Sequence, residues 1–111
     1  MTDDISMGEA TAEMLAHPAF EGFATRVLRI VNRKGLHARA TAKFVQCIER
    51  FEADILVGRC GEVVTGTSIM GILTLGAGIG TQIVVGAKGP QAQAALDAIA
   101  ALVANRFGED E

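Results

Sequence analysis

The sequence predicts a fold of the α/β class with segregated elements (α+β): a two-layer sandwich whose three helices cover one face of a four-stranded antiparallel sheet, in the order βαββαβα. Three observations predict it. Short runs rich in β-branched residues are interleaved with longer segments whose apolar residues recur every three or four positions. Two of the short runs are joined by a tight glycine-flanked turn, the connection of an antiparallel pair. The chain of 111 residues, 50% hydrophobic, has material for one modest core rather than two.

Each element has its own justification. TRVLRIV, Thr25 to Val31, is β-branched and short, and NRKG ends it. After His37, the apolar positions Ala40, Phe44, Cys47, Ile48 and Phe51 share one helical face. ADILVGRCGEVVTG reads as a hairpin, with strands at Asp54 to Val57 and Glu62 to Thr65 and a turn over Gly58 to Gly61. Ser68 stands at a helix N-cap position, with Ile69, Ile72 and Leu73 as the apolar stripe of a short helix that Gly76 stops. TQIVVGA forms the last strand. Gly89-Pro90 then opens a final helix, with Pro90 at its first position and Leu96, Ile99, Leu102 and Val103 on its buried face. Residues 1–24 read as a flexible, acidic, partly helical extension, interrupted by Pro18 and dispensable for folding. Residues 25–107 form the domain, and residues 108–111 an acidic tail.

Composition excludes several function classes. Cys47 and Cys60 lack the paired spacing of a zinc or redox site and read as buried or half-buried thiols, so no metal or other cofactor is expected. The acidic start lacks the pattern of a signal peptide, which points to the cytoplasm. The uncharged stretch between Glu62 and Lys88 has the length of a membrane span, but six glycines and several Thr, Ser and Gln residues divide it into short elements. No membrane insertion is expected. Nucleic-acid binding is disfavoured by the absence of Trp and Tyr and by basic residues confined to one window. The G-x-G-x-G at Gly76, Gly78 and Gly80 follows a helix and precedes a strand, the reverse of a dinucleotide site, and reads as a turn. His17 reads as an ordinary solvated residue.

The candidate site lies in that basic window. Arg26, Arg29, Arg33, Lys34, Arg39 and Lys43 fall between Gly22 and Ile48, a stretch without Asp or Glu, on a chain of net charge −3. Such a local excess suits an anion handled at one place. His37 sits where the loop becomes a helix, so the free N–H groups of the first turn, around Ala38 to Thr41, should converge near it. Gly35 allows the preceding turn, and the Arg39 guanidinium fits phosphate oxygens. A lone histidine here is ordinarily a cap or loop residue. The acid-free window and the helix start together favour a nucleophile kept neutral by surrounding positive charge.

The segments GLHARAT (Gly35 to Thr41) and TSIMGILTLG (Thr67 to Gly76) resemble the two signature segments of the HPr family, histidine-containing phosphocarriers of the phosphoenolpyruvate-dependent phosphotransferase system. The similarity runs from about Thr25 to Arg106. The resemblance implies an open-faced sandwich and a carrier with a transient phosphohistidine rather than a free-standing enzyme. His37 would take the phosphoryl group, by family habit on Nδ1, and Arg39 would help hold it. Partners implied are enzyme I as donor, an EIIA-type acceptor in sugar uptake or in a regulatory nitrogen or carbon phosphorelay, and an HPr kinase/phosphorylase at Ser68. The residue before that serine is Thr67, where such a kinase usually meets a lysine. Ala40 replaces the family's usual proline and restores a backbone N–H. The alternative is a regulatory binding protein of the same fold, controlled through Ser68 and without sugar transport; the presence of His37 argues against it. Since Ile69, Met70 and Leu73 cannot all be buried with Ile72, some of them, Met70 first, are expected to form an exposed docking patch. The carrier is expected to be a monomer.

Overall fold

The computed structural model describes residues 11–111. Its elements are β1 (Ala24–Arg29), α1 (Ala38–Ile48), β2 (Asp54–Arg59), β3 (Glu62–Thr65), α2 (Ile69–Thr74), β4 (Gln82–Lys88) and α3 (Ala92–Ala104). Two 3-10 turns, Pro18–Phe20 and Arg106–Gly108, flank them. The expected order is the observed one. The four strands make one antiparallel sheet in the order β1-β4-β2-β3.

Strand alternation sorts side chains to two faces. Ile55, Val57, Ile83, Val85 and Ala87 face the helices, where Phe44, Ile48, Ile72, Leu96, Ile99 and Val103 complete the main core. Burial of that shared apolar surface holds the helices to one side of the sheet.

The other face carries Val27, Leu56, Val63 and Val84, and here the structure departs from the expectation of a separate extension. Residues 11–15 are helical, and Met14 and Phe20 are buried against those strand residues. Phe20 needs a seat, and two mid-strand glycines supply it. A Cβ at Gly86 would stand 2.6 Å from Phe20 Cδ1, and one at Gly58 3.0 Å from Phe20 Cζ. His17, expected to be merely solvated, has a structural role instead. Its Nδ1 accepts from Ala19 N–H at 3.1 Å and caps the turn that delivers Phe20. Residues 1–10 of the expected extension lie outside the described residues.

Two local boundaries also differ. β2 continues through Gly58 to Arg59, and the hairpin turns on Cys60 (φ 52°) and Gly61 (φ 83°). Positive φ at both central residues matches the right-handed strand twist in a two-residue loop. That turn leaves Cys60 exposed, unlike buried Cys47, which corrects the expectation of two sheltered thiols. α3 begins at Ala92 rather than at Pro90, because Gly89 (φ 130°) and Pro90 form a turn and Gln91 takes the N-cap position. No helix among the described residues is long and apolar enough to cross a membrane.

Candidate functional site

The loop between β1 and α1 is shaped by Gly35, whose φ of 67° is left-handed and whose absent Cβ would lie 2.5 Å from the Ala77 carbonyl oxygen. That contact ties the loop to the glycine-rich turn before β4, through Leu36 N–H donating to Ala77 C=O at 2.9 Å. The chain then enters α1 with His37 as N-cap residue, in extended conformation and with no capping bond from its side chain. The first helical bond runs from Thr41 N–H to His37 C=O at 2.9 Å. The donors left for an anion are therefore those of Ala38, Arg39 and Ala40, one fewer than expected. Ala40, in the same turn, is fully buried.

Of the six basic residues, the tertiary structure gathers four. Arg33, Lys34, Arg39 and Lys43 line a cleft whose other wall is Gly108 to Glu111. Arg26 is elsewhere, bonded to Asp97 at 2.8 Å and to the Leu96 carbonyl, and its guanidinium holds the Asp97 carboxyl below its usual range. Arg29 donates to the Gly80 carbonyl at 3.2 Å. Arg39 is exposed.

Two residues that sequence reasoning missed complete the site. Glu109 brings Oε2 to 2.5 Å from His37 Nε2, so the surroundings of the imidazole are not purely positive as expected. Its other oxygen, Oε1, accepts from Asn32 Nδ2 at 3.1 Å, and the same fully buried amide donates to the Gly35 carbonyl at 2.8 Å. The bond to His37 is the main cause that holds the Glu109 carboxyl below its ordinary range, with smaller contributions from Asn32 and Lys34 against the cost of burial. The tail is tied on either side of Glu109. Lys43 Nζ donates to the Phe107 carbonyl at 2.5 Å, and Arg33 N–H donates to the Glu111 carbonyl at 2.8 Å. The one available signal was the opposite sign of the chain's end and the basic window; nothing local paired positions 72 residues apart.

Ser68 is the N-cap of α2, its Oγ accepting from Gly71 N–H at 3.0 Å. Ser68→Ala is expected to cost about 1 kcal/mol, read as a lower midpoint in urea unfolding with an unchanged slope. On α2, Ile72 is fully buried and Leu73 half-buried, while Ile69 is 42% and Met70 71% exposed. Ile79, in the turn before β4, is a further exposed apolar residue at 58% that the sequence did not single out.

Known proteins resemble this chain in sequence and in fold. The family model described as the PTS HPr component phosphorylation site matches residues 24–105. The phosphocarrier protein HPr of Cupriavidus necator is 48% identical over 82 residues, which cover 74% of this chain and 92% of that protein. The phosphocarrier protein NPr of Shewanella violacea is 40% identical, over 76% of this chain and 92% of its own length. Among solved structures, HPr-C-His from Thermoanaerobacter tengcongensis matches with a TM-score of 0.76 at 35% identity, over 79% of this chain and 99% of that one. Residues 1–23, including the buried Met14 and Phe20, lie outside the family match. From β1 to the end of α3, then, both the sequence and the fold match phosphocarrier proteins, and the chain belongs to the HPr family of phosphotransferase-system phosphocarriers.

Proposed function

We propose that His37 accepts the phosphoryl group from phosphorylated enzyme I, itself charged by phosphoenolpyruvate, and passes it to an EIIA-type protein acceptor. The observation that carries this reading is His37 at the start of α1, beside the amides of Ala38 to Ala40 and within the sequence match to the family's phosphorylation site. Arg39 is read as the side chain that holds the transferring group, since its exposed guanidinium is able to swing onto phosphate oxygens. Ile69, Met70 and Leu73 are read as the docking patch for donor and acceptor. The carrier acts as a cytoplasmic monomer in this reading, in sugar uptake or in a regulatory phosphorelay. Incubating the full chain with enzyme I, magnesium and phosphoenolpyruvate should give a phosphoprotein labile in acid and stable in base, with phosphorus on a ring nitrogen by NMR. Failure to label, with a known HPr labelling in parallel, would reject the assignment.

A second reading rests on the placement of Ser68 at the α2 N-cap next to exposed Ile69 and Met70. A phosphate on Ser68 from an HPr kinase/phosphorylase would be tolerated at the helix start and would put charge into the docking patch. The chain would then serve as a regulatory binding protein.

A further inference from the structure

We propose that Glu109 is the positioning residue of His37: it accepts the Nε2 proton, leaves the lone pair on Nδ1, and holds the positive charge that the ring gains when Nδ1 takes the phosphoryl group. This rests on the reading of His37 as phosphoryl acceptor. An imidazole exists in two neutral tautomers, and the partner of one nitrogen decides which nitrogen is the nucleophile. Here the partner is an acceptor only, because the Glu109 carboxyl is kept ionised, and it meets Nε2 at 2.5 Å. The proton is therefore on Nε2.

The carboxylate is not a loose surface group. The His37 and Glu109 side chains are 27% and 17% exposed, and the buried Asn32 amide grips the second carboxylate oxygen. The same amide holds the Gly35 carbonyl two residues before His37, so one side chain sets both the loop and the carboxylate. The bonds from the Lys43 ammonium and the Arg33 backbone N–H fix the segment that carries Glu109, so little conformational freedom remains to be lost when the ring must be aimed. The other charges around the cleft are the cations Arg33, Lys34, Arg39 and Lys43 and the carboxylates Asp110 and Glu111, the latter already bonded to Arg33 at 3.2 Å. Four cations would raise the energy of a positive ring. One ionised carboxylate in direct contact offsets that cost at the place where the charge appears.

The step balances without a further reactant. The Nδ1 lone pair forms the N–P bond as the nitrogen–phosphorus bond of the donor phosphohistidine breaks, and the donor ring keeps that electron pair. His37 becomes an N-phosphoimidazolium whose Nε2 proton stays in the bond to Glu109, and onward transfer returns it to the neutral tautomer. Nδ1 and Nε2 lie on opposite edges of the ring, so the carboxylate stands away from the incoming oxygens.

Three variants separate the parts. Glu109→Gln keeps an oxygen that accepts from Nε2 and loses the charge, Glu109→Ala loses both, and Glu109→Asp shortens the reach. In nitrogen-15 spectra of the full chain at pH 8, wild type and Glu109→Gln should show the Nε2–H tautomer, while Glu109→Ala should show a mixture. Labelling from enzyme I under limiting donor should fall about 10- to 100-fold in Glu109→Ala, nearly as far in Glu109→Gln, and less in Glu109→Asp. Equal or faster labelling of Glu109→Ala, with wild type labelled normally, overturns the proposal; faster labelling would mark the contact as a block instead. No labelling of wild type overturns the His37 reading and this proposal together.

Discussion

His37→Ala is expected to fold as the parent chain does and to accept no phosphoryl group. The stability cost is small because the imidazole is partly exposed and makes no capping bond to α1, so an alanine there leaves no buried donor unpaired. Glu109 keeps its bond from Asn32 and its place among the cations of the cleft. What is lost is the proposed nucleophile, and neither helix amides nor Arg39 can replace a lone pair. The other histidine, His17, caps a turn that seats Phe20 on the opposite face of the sheet. Measuring phosphorus incorporation from phosphoenolpyruvate and enzyme I, alongside a thermal melt, checks both halves. Labelling of the alanine variant above a few per cent of wild type would remove His37 from the site.

Phe20→Ala is expected to produce the largest loss of stability among these variants. Phe20 is buried against the side of the sheet away from the helices, over the positions where Gly58 and Gly86 leave room, and with Met14 it covers Val84 and parts of Val27, Leu56 and Val63. Removing a buried phenylalanine ring costs about 3 to 5 kcal/mol, from lost transfer energy and the cavity left behind. At about 4 to 8 °C per kcal/mol for a domain of this size, the melting temperature should fall by roughly 12 °C or more. A chain beginning at Ala24 would lose the whole cover and leave a strip of valine and leucine in water, so it should melt lower and associate more readily. An unchanged melting temperature in both variants would show that the segment contributes nothing to the domain. Phosphoryl acceptance at low temperature should survive in both, because His37 stands at the other layer's helix start.

How much of this was legible in the sequence follows from the range over which each feature is specified. The spacing of Phe44, Cys47 and Ile48 announced α1, and Ser68 announced the start of α2, because a helix face and a cap are written within one or two turns of chain. The Cys60-Gly61 turn was misplaced by a glycine: Gly58 looked like turn material and is a strand residue that leaves room for Phe20. Pro90 misled in the same way, since its fixed φ suits a tight turn as well as a first helical residue.

By itself the sequence determined the order of elements, the one-sided helical layer and the histidine at a helix start in a basic window, all consequences of periodicity, turn chemistry and local charge. Tertiary structure alone decided which four cations share a cleft, that Arg26 goes to Asp97 instead, that Met14 and Phe20 cover the sheet, and that Glu109 meets His37. These pairings join positions as much as 72 residues apart, and they depend on where the sheet and α3 bring the end of the chain. A carboxylate and an imidazole at such a distance in sequence carry no mutual pattern; only the packed layers, by fixing their separation at hydrogen-bond range, turn an acidic tail into a partner of the His37 ring.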